Sequence, residues 1–421
     1  MKKIFSILFC PLAFFSYSQN IDSARSVIKQ LCSEEFAGRG YVNDGDKKAA
    51  EFIADKFRKL NISSFSPNFF QQFGFPVIYF PEKTELNIDG VDLIPGKDFI
   101  VNPGCPYIKG NFKILKIDSA TVDNKFLFEK LSNSSLHRTF LWLDELHEKT
   151  FLHPERVDAI KKNTIGAKGI LYSNLEKFTW SVSTAWDKFP TLLIKKDKLK
   201  HFMIEMQILI ESRYKEHSTQ NVISYIKGKT HPDSFIVFTA HYDHLGKFGT
   251  ALFPGANDNA SGVAMLLNMA EEYALKQPEY SVAFIAFAGE EAGLLGSYFY
   301  TQNPLFALNK IALLINLDLM ATGDKGMTVV NGSIFKDEFQ NLQMLNFENG
   351  YLPAINARGK AQNSDHYYFT EAGVKSFFFY LLGDYHFYHD IDDKAESVSL
   401  IKYNEAFKLI KTFADDYMKI K

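Results

Sequence analysis

Residues Ser234–Gly246 read SFIVFTAHYDHLG. Phe235, Ile236, Val237 and Phe238 make a nearly continuous apolar run, the pattern of a short buried strand. His241, Asp243 and His244 follow with no loop between. In open α/β sheets the ligand crevice lies outside the carboxyl ends of the strands. A core strand ending in two imidazoles and a carboxylate therefore points to a site on such a rim.

The neighbouring segments give that rim its sheet. From about 220 onward, strand-like runs alternate with helical ones. SYIKG and FIVFTA precede the helical ASGVAMLLNMAEEYALK; SVAFIAFA and KIALLINLDLM follow. A helix near 335–350, the run VKSFFFYLL and a closing helix NEAFKLIKTFADDYM complete the series. Such alternation predicts an α/β fold with a mixed, mostly parallel central sheet and helices on both faces. Near the start, IDSARSVIKQL and DKKAAEFIADKFRKL carry apolar residues at three- and four-residue steps and read as helices around a Gly- and Asp-rich FAGRGYVNDGD. Between about 70 and 215 the texture changes to short runs such as PVIYF, ELNIDG, FKILKI and TFLWLD. The expected organisation is a catalytic α/β domain over 19–70 and 215–421, with a smaller β-rich domain inserted over 71–214.

The chain has 421 residues and a formal charge of −2, so no global basic field points to nucleic acid or an acidic membrane. MKKIFSILFCPLAFFSYSQN pairs Lys2 and Lys3 with an apolar stretch to about Phe15, then small residues. It reads as a secretory signal peptide over 1–18, cleaved near Ser18–Gln19, and as too short to span a membrane. Cys10 offers a lipid-anchor alternative, against which the bulky Phe9 counts. The expected location is secreted or periplasmic, without stable membrane insertion. The two remaining cysteines, Cys32 and Cys105, do not make a disulfide framework, and nothing in the sequence says whether they pair.

Other strand ends also carry ionisable groups. Glu290 and Glu291 follow SVAFIAFAG, Asp318 ends IALLINL, and His389 lies in YHDIDD beyond VKSFFFYLL. Asp258 sits in GANDNASG just before a helix. Each alone has an ordinary explanation: a hydrogen-bonded surface His, a solvated Glu pair, a helix-entry Asp. Together, carboxylates crowded on one rim would repel unless a cation neutralised them. Two His and three carboxylates are a natural donor set for zinc, and a bridging carboxylate can hold two ions about 3.5–4 Å apart. One Glu is then left over as a proton shuttle.

The order HYDHLG, GANDNASG, AGEEAGLLGS, NLDLM, SDHYYF, YHDIDD resembles the secreted zinc aminopeptidases of the aminopeptidase Y and leucyl aminopeptidase type, whose fold glutamate carboxypeptidase and the glutaminyl cyclases share. The resemblance spans about 200 C-terminal residues plus the FAGRG segment. It implies that His241 and Asp318 bind one zinc, that Glu291 and His389 bind a second, and that Asp258 bridges the two and precedes a cis bond to Asn259. It implies Asp243 as the group that orients His241. Glu290 is implied as the general base, taking a proton from the attacking water and returning it to the leaving amine. For the last ligand HFYHDIDD offers His386 and His389. The family spacing of His, three residues and an acid fits His389 with Asp393, although Asp390-Ile391 stands where relatives often carry Thr-Pro. His244 is expected as a packed or hydrogen-bonded loop residue, Asn363–His366 as a supporting loop, and Arg39 as a structural tie between the N-terminal helices and the core. TIGAKGILYSN followed by FPTLLIKKD resembles a protease-associated domain.

The function implied is removal of N-terminal residues from peptide substrates with two zinc ions. A glutaminyl cyclase would use one zinc. A carboxypeptidase would want a cluster of Arg for a terminal carboxylate. A non-catalytic binding module would have no need of Glu290. The preferred side chain of the substrate and the oligomeric state are not written in the sequence.

Overall fold

The computed structural model describes residues 16–81, 83–144, 152–174, 177–200 and 203–420. Most of the expected signal segment lies outside the described residues. Among the described residues no helix is long and apolar enough to cross a membrane.

The main sheet has eight strands: β1 (Phe70–Tyr79), β2 (Arg213–Ile226), β3 (His231–His241), β4 (Tyr280–Phe287), β5 (Ile311–Leu317), β6 (Gly326–Val330), β7 (Ile355–Arg358) and β8 (Ser376–Leu382). Their spatial order is β1-β2-β4-β3-β5-β8-β6-β7. The four central strands β4, β3, β5 and β8 run parallel. β1 and β2 on one side, and β6 beside β8 on the other, are antiparallel. The sheet is thus mixed with a parallel centre, as the alternating pattern predicts. Residues along each central strand alternate between two apolar layers. Ile236, Phe238 and Ala240 face a core built with helices Ser16–Leu31, Gly45–Lys59, Ser261–Leu275 and Tyr403–Ile420. Phe235 and Val237 face the other, with Tyr300 and Phe369 of the helices Leu295–Gln302 and His366–Glu371. Burial on both faces explains why these strands read as continuous apolar runs rather than alternating ones.

The region between β1 and β2 folds around a second sheet of eight strands, spanning Thr84 to Ile210. It is not purely β. The helices Ser119–Asp123, Lys125–Ser132 and Pro154–Lys161 accompany a parallel set, Ile108–Lys116, Thr139–Asp144, Gly169–Asn174 and Thr191–Lys195. Its junction differs from the expected boundary at 70. Phe70 to Tyr79 pair in unbroken register with Val222 to Arg213, so β1 is an edge strand of the main sheet. The change from helix to strand texture at 70 marks a change of element inside one unit.

The two sheets are joined by a short hairpin, Gly246–Phe248 with Ala251–Phe253, that follows β3. Phe248 and Phe253 leave the main unit and enter the second unit's core against Phe80, Phe99 and Trp180. Cys32 and Cys105 are both free thiols.

Candidate metal centre

The parallel centre of the sheet delivers the acids and imidazoles to one rim. His241 is the last residue of β3, Asp318 follows β5 directly, Glu290 and Glu291 come three and four residues after β4, and His389 lies in the loop after β8. Asp258 enters from the segment ahead of helix Ser261–Leu275, and its bond to Asn259 is cis. His241, Asp258, Asp318 and His389 are all buried.

Asp258 stands between the two imidazoles. Its Oδ1 lies 3.3 Å from His241 Nε2 and its Oδ2 lies 3.3 Å from His389 Nε2. Each imidazole then faces a second carboxylate: His241 Nε2 is 3.5 Å from Asp318 Oδ1, and His389 Nε2 is 3.2 Å from Glu291 Oε2. The opposite ring nitrogens are spoken for. His241 Nδ1 donates to the Asp243 carbonyl at 3.2 Å and His389 Nδ1 to the Trp180 carbonyl at 2.8 Å. A carbonyl only accepts, so in the neutral ring Nδ1 carries the proton and Nε2 turns its lone pair toward the acids.

A lone pair facing a carboxylate is repulsive unless a cation sits between them. Burial opposes protonation of both rings, yet the surrounding carboxylates outweigh it, raising His241 well above its ordinary value and His389 to about 11. Burial likewise opposes the charges of Asp258 and Glu291. The imidazoles outweigh it there too, holding Asp258 well below the usual carboxylate range and Glu291 at about 2. Positive charge is therefore required between these groups. His241 Nε2 and Asp318 Oδ1 have no hydrogen-bond partner despite their burial.

The spacing suits a metal, because charge-assisted N–H···O bonds run shorter, about 2.7–2.9 Å. Donors about 2.0–2.2 Å from a tetrahedral zinc stand about 3.3–3.6 Å from one another. The four imidazole–carboxylate separations here are 3.2–3.5 Å. Asp258 thus turns one oxygen to each imidazole, and each imidazole meets a further carboxylate at a spacing that fits zinc. The compact triads among the described residues are His241 with Glu290 and Asp318, and His241 with Asp258 and Glu291. Glu290 joins neither carboxylate pairing. One of its carboxylate oxygens lies within 4.8 Å of donor atoms of His241 and Asp318. Burial, reinforced by Glu291, Asp365 and Asp318, raises its carboxyl well above the ordinary range, with His241 opposing.

A layer of side chains behind the donors holds them. Ser364 Oγ donates to Asp318 Oδ2 at 2.9 Å, Asn316 Nδ2 to Ser364 Oγ at 2.7 Å, and Thr239 Oγ1 to Asn316 Oδ1 at 2.6 Å. His244 Nδ1 meets Glu291 Oε1 at 2.6 Å, so this histidine is the hydrogen-bonded loop residue expected, and its partner is a ligand candidate. Asp393 accepts from the backbone N–H of Asn257 and Asp258 at 2.8 and 3.1 Å. Arg39 is fully buried and donates to the carbonyls of Leu31, Tyr242, Pro254, Gly255 and Asp258, the structural tie expected of it. Gly255 makes that tie possible. Its φ is +61°, and a Cβ there would lie 2.2 Å from the Asp258 oxygen and 2.6 Å from Arg39 Nη2.

Asp243 differs from its expected role. Its carboxylate is 3.9 Å from His241 Nδ1, and its own backbone carbonyl takes that hydrogen bond. The carboxylate instead accepts from Tyr41 Oη at 2.5 Å and from the N–H groups of Glu290 and Glu291 at 3.2 Å each. It fixes the turn that presents the two glutamates. Of the two histidines left open, His389 is in the cluster, whereas His386 is exposed. Ser364 lies in the loop expected to support the site, whereas Tyr41 and Trp180 are supports that the sequence does not point to. Their partners are 202 and 209 residues away, and no local pattern marks such pairs.

A cavity of about 290 Å³ opens beside the donors, reached by His241, Asp258, Glu290 and Asp318 at its buried end and by Arg358 and Tyr388 outside.

Residues 221–414 match the Peptidase family M28 model. Aminopeptidase YwaD of Bacillus subtilis is 28% identical over 267 residues, 58% of this chain and 56% of that protein. A probable zinc metalloprotease of Pyricularia oryzae is 37% identical over 113 residues, 25% of this chain and 22% of that protein. The chain thus spans about half or less of these relatives. Among solved structures, BSAP, a zinc aminopeptidase from Bacillus subtilis, superposes with a TM-score of 0.69 at 23% identity, over 94% of each chain. A peptidase M28 precursor from Shewanella amazonensis gives 0.63 at 16%, over 96% of this chain and 97% of that one. Both likenesses establish the shared fold. The segment that supplies both imidazoles, Asp258 and the three remaining acids is the part of the chain that matches the Peptidase family M28 model.

Proposed function

We propose that the protein is an exported aminopeptidase that hydrolyses the N-terminal peptide bond of peptides with two zinc ions. The carrying observation is the division of one bridging carboxylate between two imidazole–carboxylate pairs at zinc-like spacing. His241, Asp258 and Asp318 would hold one ion; Asp258, Glu291 and His389 would hold the other. When bound, the ions supply Lewis acidity, polarising the scissile carbonyl and acidifying a water. Glu290 does the proton work. Its carboxylate accepts a proton from the attacking water and passes it to the nitrogen of the leaving amine. A buried carboxyl raised well above the ordinary carboxylate range holds a proton more readily, which suits both halves of that exchange. Asp243 keeps Glu290 in place through the backbone N–H. The activity named for YwaD, and the zinc named for the fungal relative, support the same reading. Export rests on the signal-like N-terminus, and N-terminal sequencing of the mature protein tests it.

A glutaminyl cyclase of this fold would need one ion, so zinc titration separates the two readings: two ions per chain or one. The central experiment is amino-acid release from a peptide panel, with and without a chelator, beside Glu290→Gln. The chelator should abolish release. The variant should keep both ions and lose about 10²–10⁴-fold in kcat. Undiminished release by Glu290→Gln removes the proposed base.

A further inference from the structure

The cavity beside the metal centre holds a cation that the proposed mechanism does not use. Arg358 closes β7, opposite Val330 of β6, and lines the same cavity as His241, Asp258, Glu290 and Asp318. It is exposed, and among the described residues its guanidinium has no carboxylate partner. Asn363 also lines the cavity. With its amide turned so that oxygen meets a donor, it accepts from Arg358 Nη1 at 3.3 Å and donates to the Ala361 carbonyl at 3.2 Å. A guanidinium has five donors in a planar fork, and Asn363 engages one of them. Tyr380 and Tyr388 stand at the same cavity.

The chemistry of the fork selects its ligand. Arg matches a carboxylate with two parallel N–H···O bonds, a geometry a neutral carbonyl cannot return. Two divalent ions against Asp258, Glu291, Asp318 and Glu290 leave no net negative charge to repel such a group. At about 290 Å³ the cavity sits at the small end of ligand pockets, about 300–1,000 Å³. A group that touches both the donors and Arg358 is therefore close to the scissile bond in sequence. We propose that Arg358 receives a substrate carboxylate one or two residues from the cleaved bond, so that the protein favours short peptides with a free acid there. This rests on the aminopeptidase reading. The carboxylate has two sources, the C-terminus of a dipeptide or an acidic side chain.

The test uses the zinc-loaded full chain and dipeptides whose N-terminal residue X is the one released fastest from the panel. One arm compares X-Gly with X-glycinamide. The other compares X-Asp amide with X-Asn amide. Wild type should favour the acid in at least one arm by about 10–100-fold in kcat/KM, and the responding arm names the source. In Arg358→Gln the acid-to-amide ratio should fall to about one, mainly through KM, with Arg358→Lys between. Wild-type release with no acid preference overturns the assignment and leaves the aminopeptidase reading standing. So does an Arg358→Gln that slows acid and amide alike. No release from any peptide in the panel overturns both.

Discussion

The His389 imidazole and the Trp180 backbone are joined twice, although 209 residues separate them. His389 Nδ1 donates to the Trp180 carbonyl at 2.8 Å, and the Trp180 N–H returns a bond to the His389 carbonyl at 3.1 Å. Lys177 Nζ adds a third link, to the Tyr388 carbonyl at 3.0 Å. His389 sits at φ +54°, in the left-handed region. That conformation costs a non-glycine residue about 1–2 kcal/mol, and the bonds from the inserted unit offset it. The insert therefore aims one imidazole of the candidate metal centre.

Trp180 is in turn anchored by its own ring. It packs on Phe253, Phe248 and Phe80 with centroids 4.9–5.6 Å apart, and its Nε1 donates to the Val101 carbonyl. Trp180→Ala should cost about 3–5 kcal/mol of stability and preferentially weaken the zinc held by His389. Trp180→Phe keeps most of the packing and should retain both ions. Metal content after dialysis against a graded chelator, alongside urea unfolding, measures the two effects. Full occupancy in a folded Trp180→Ala would show that the insert does not aim His389.

Ser364 is the middle link between the sheet interior and Asp318. Removing its hydroxyl in Ser364→Ala leaves Asp318 Oδ2 without that donor and the buried Asn316 Nδ2 without an acceptor. The loss of such an outer partner typically costs a metal site about 10–100-fold in affinity, and the orphaned amide costs about 1–3 kcal/mol. Competition with a chromophoric chelator should show one of the two zinc ions weakened and the other unchanged. Equal weakening of both would mean that Ser364 supports the domain rather than Asp318.

Arg39 concentrates five carbonyls from four stretches of chain on one buried guanidinium. Arg39→Met fills much of the volume but leaves those acceptors facing an apolar chain. Each orphaned acceptor costs about 1–3 kcal/mol, so a loss above about 4 kcal/mol is expected in urea. Arg39→Lys, a point charge without the fork, should fall between. A loss below about 1 kcal/mol would show that the segments around Gly255 hold their shape without it.

The rim was legible because its signals are local. An apolar run followed at once by His, Asp or Glu marks the carboxyl end of a buried strand, and His241, Glu290, Glu291 and Asp318 were all found that way. Asp258, and His389 over His386, came from the order and spacing of motifs rather than from strand ends. What stayed hidden was non-local. The pairing of β1 with β2 crosses the whole insert, so a strand-like run at 70 could not be assigned to either sheet from its residues. The role of Asp243 as the group that orients His241 comes only from the family resemblance. The Asp243 carboxylate belongs to Tyr41 and to the turn at Glu290, because those groups converge on it only after the chain closes.

Cys105, buried in the core of the inserted unit, provides a pH-dependent test. Burial, with Asp187 adding to it and a backbone contact at Thr191 opposing, pushes its thiol up to about 12 from an ordinary 9.0. At pH 9 an unfolded thiol is half ionised, whereas the native one is thiolate only about once in a thousand. Alkylation of Cys105 in the native protein should therefore be slower than in urea by at least two orders of magnitude. Linkage gives the sign for stability. A folded-state value above the unfolded one stabilises fully below about pH 9, and that contribution fades as pH rises toward 12. Cys105→Ala should lose less stability than wild type across that window, followed by urea midpoints from pH 8 to 11 and by mass-resolved alkylation. If Cys105 in the folded chain reacts at pH 9 as fast as a free thiol, the core around it admits both water and reagent, and the shift assigned to burial does not exist.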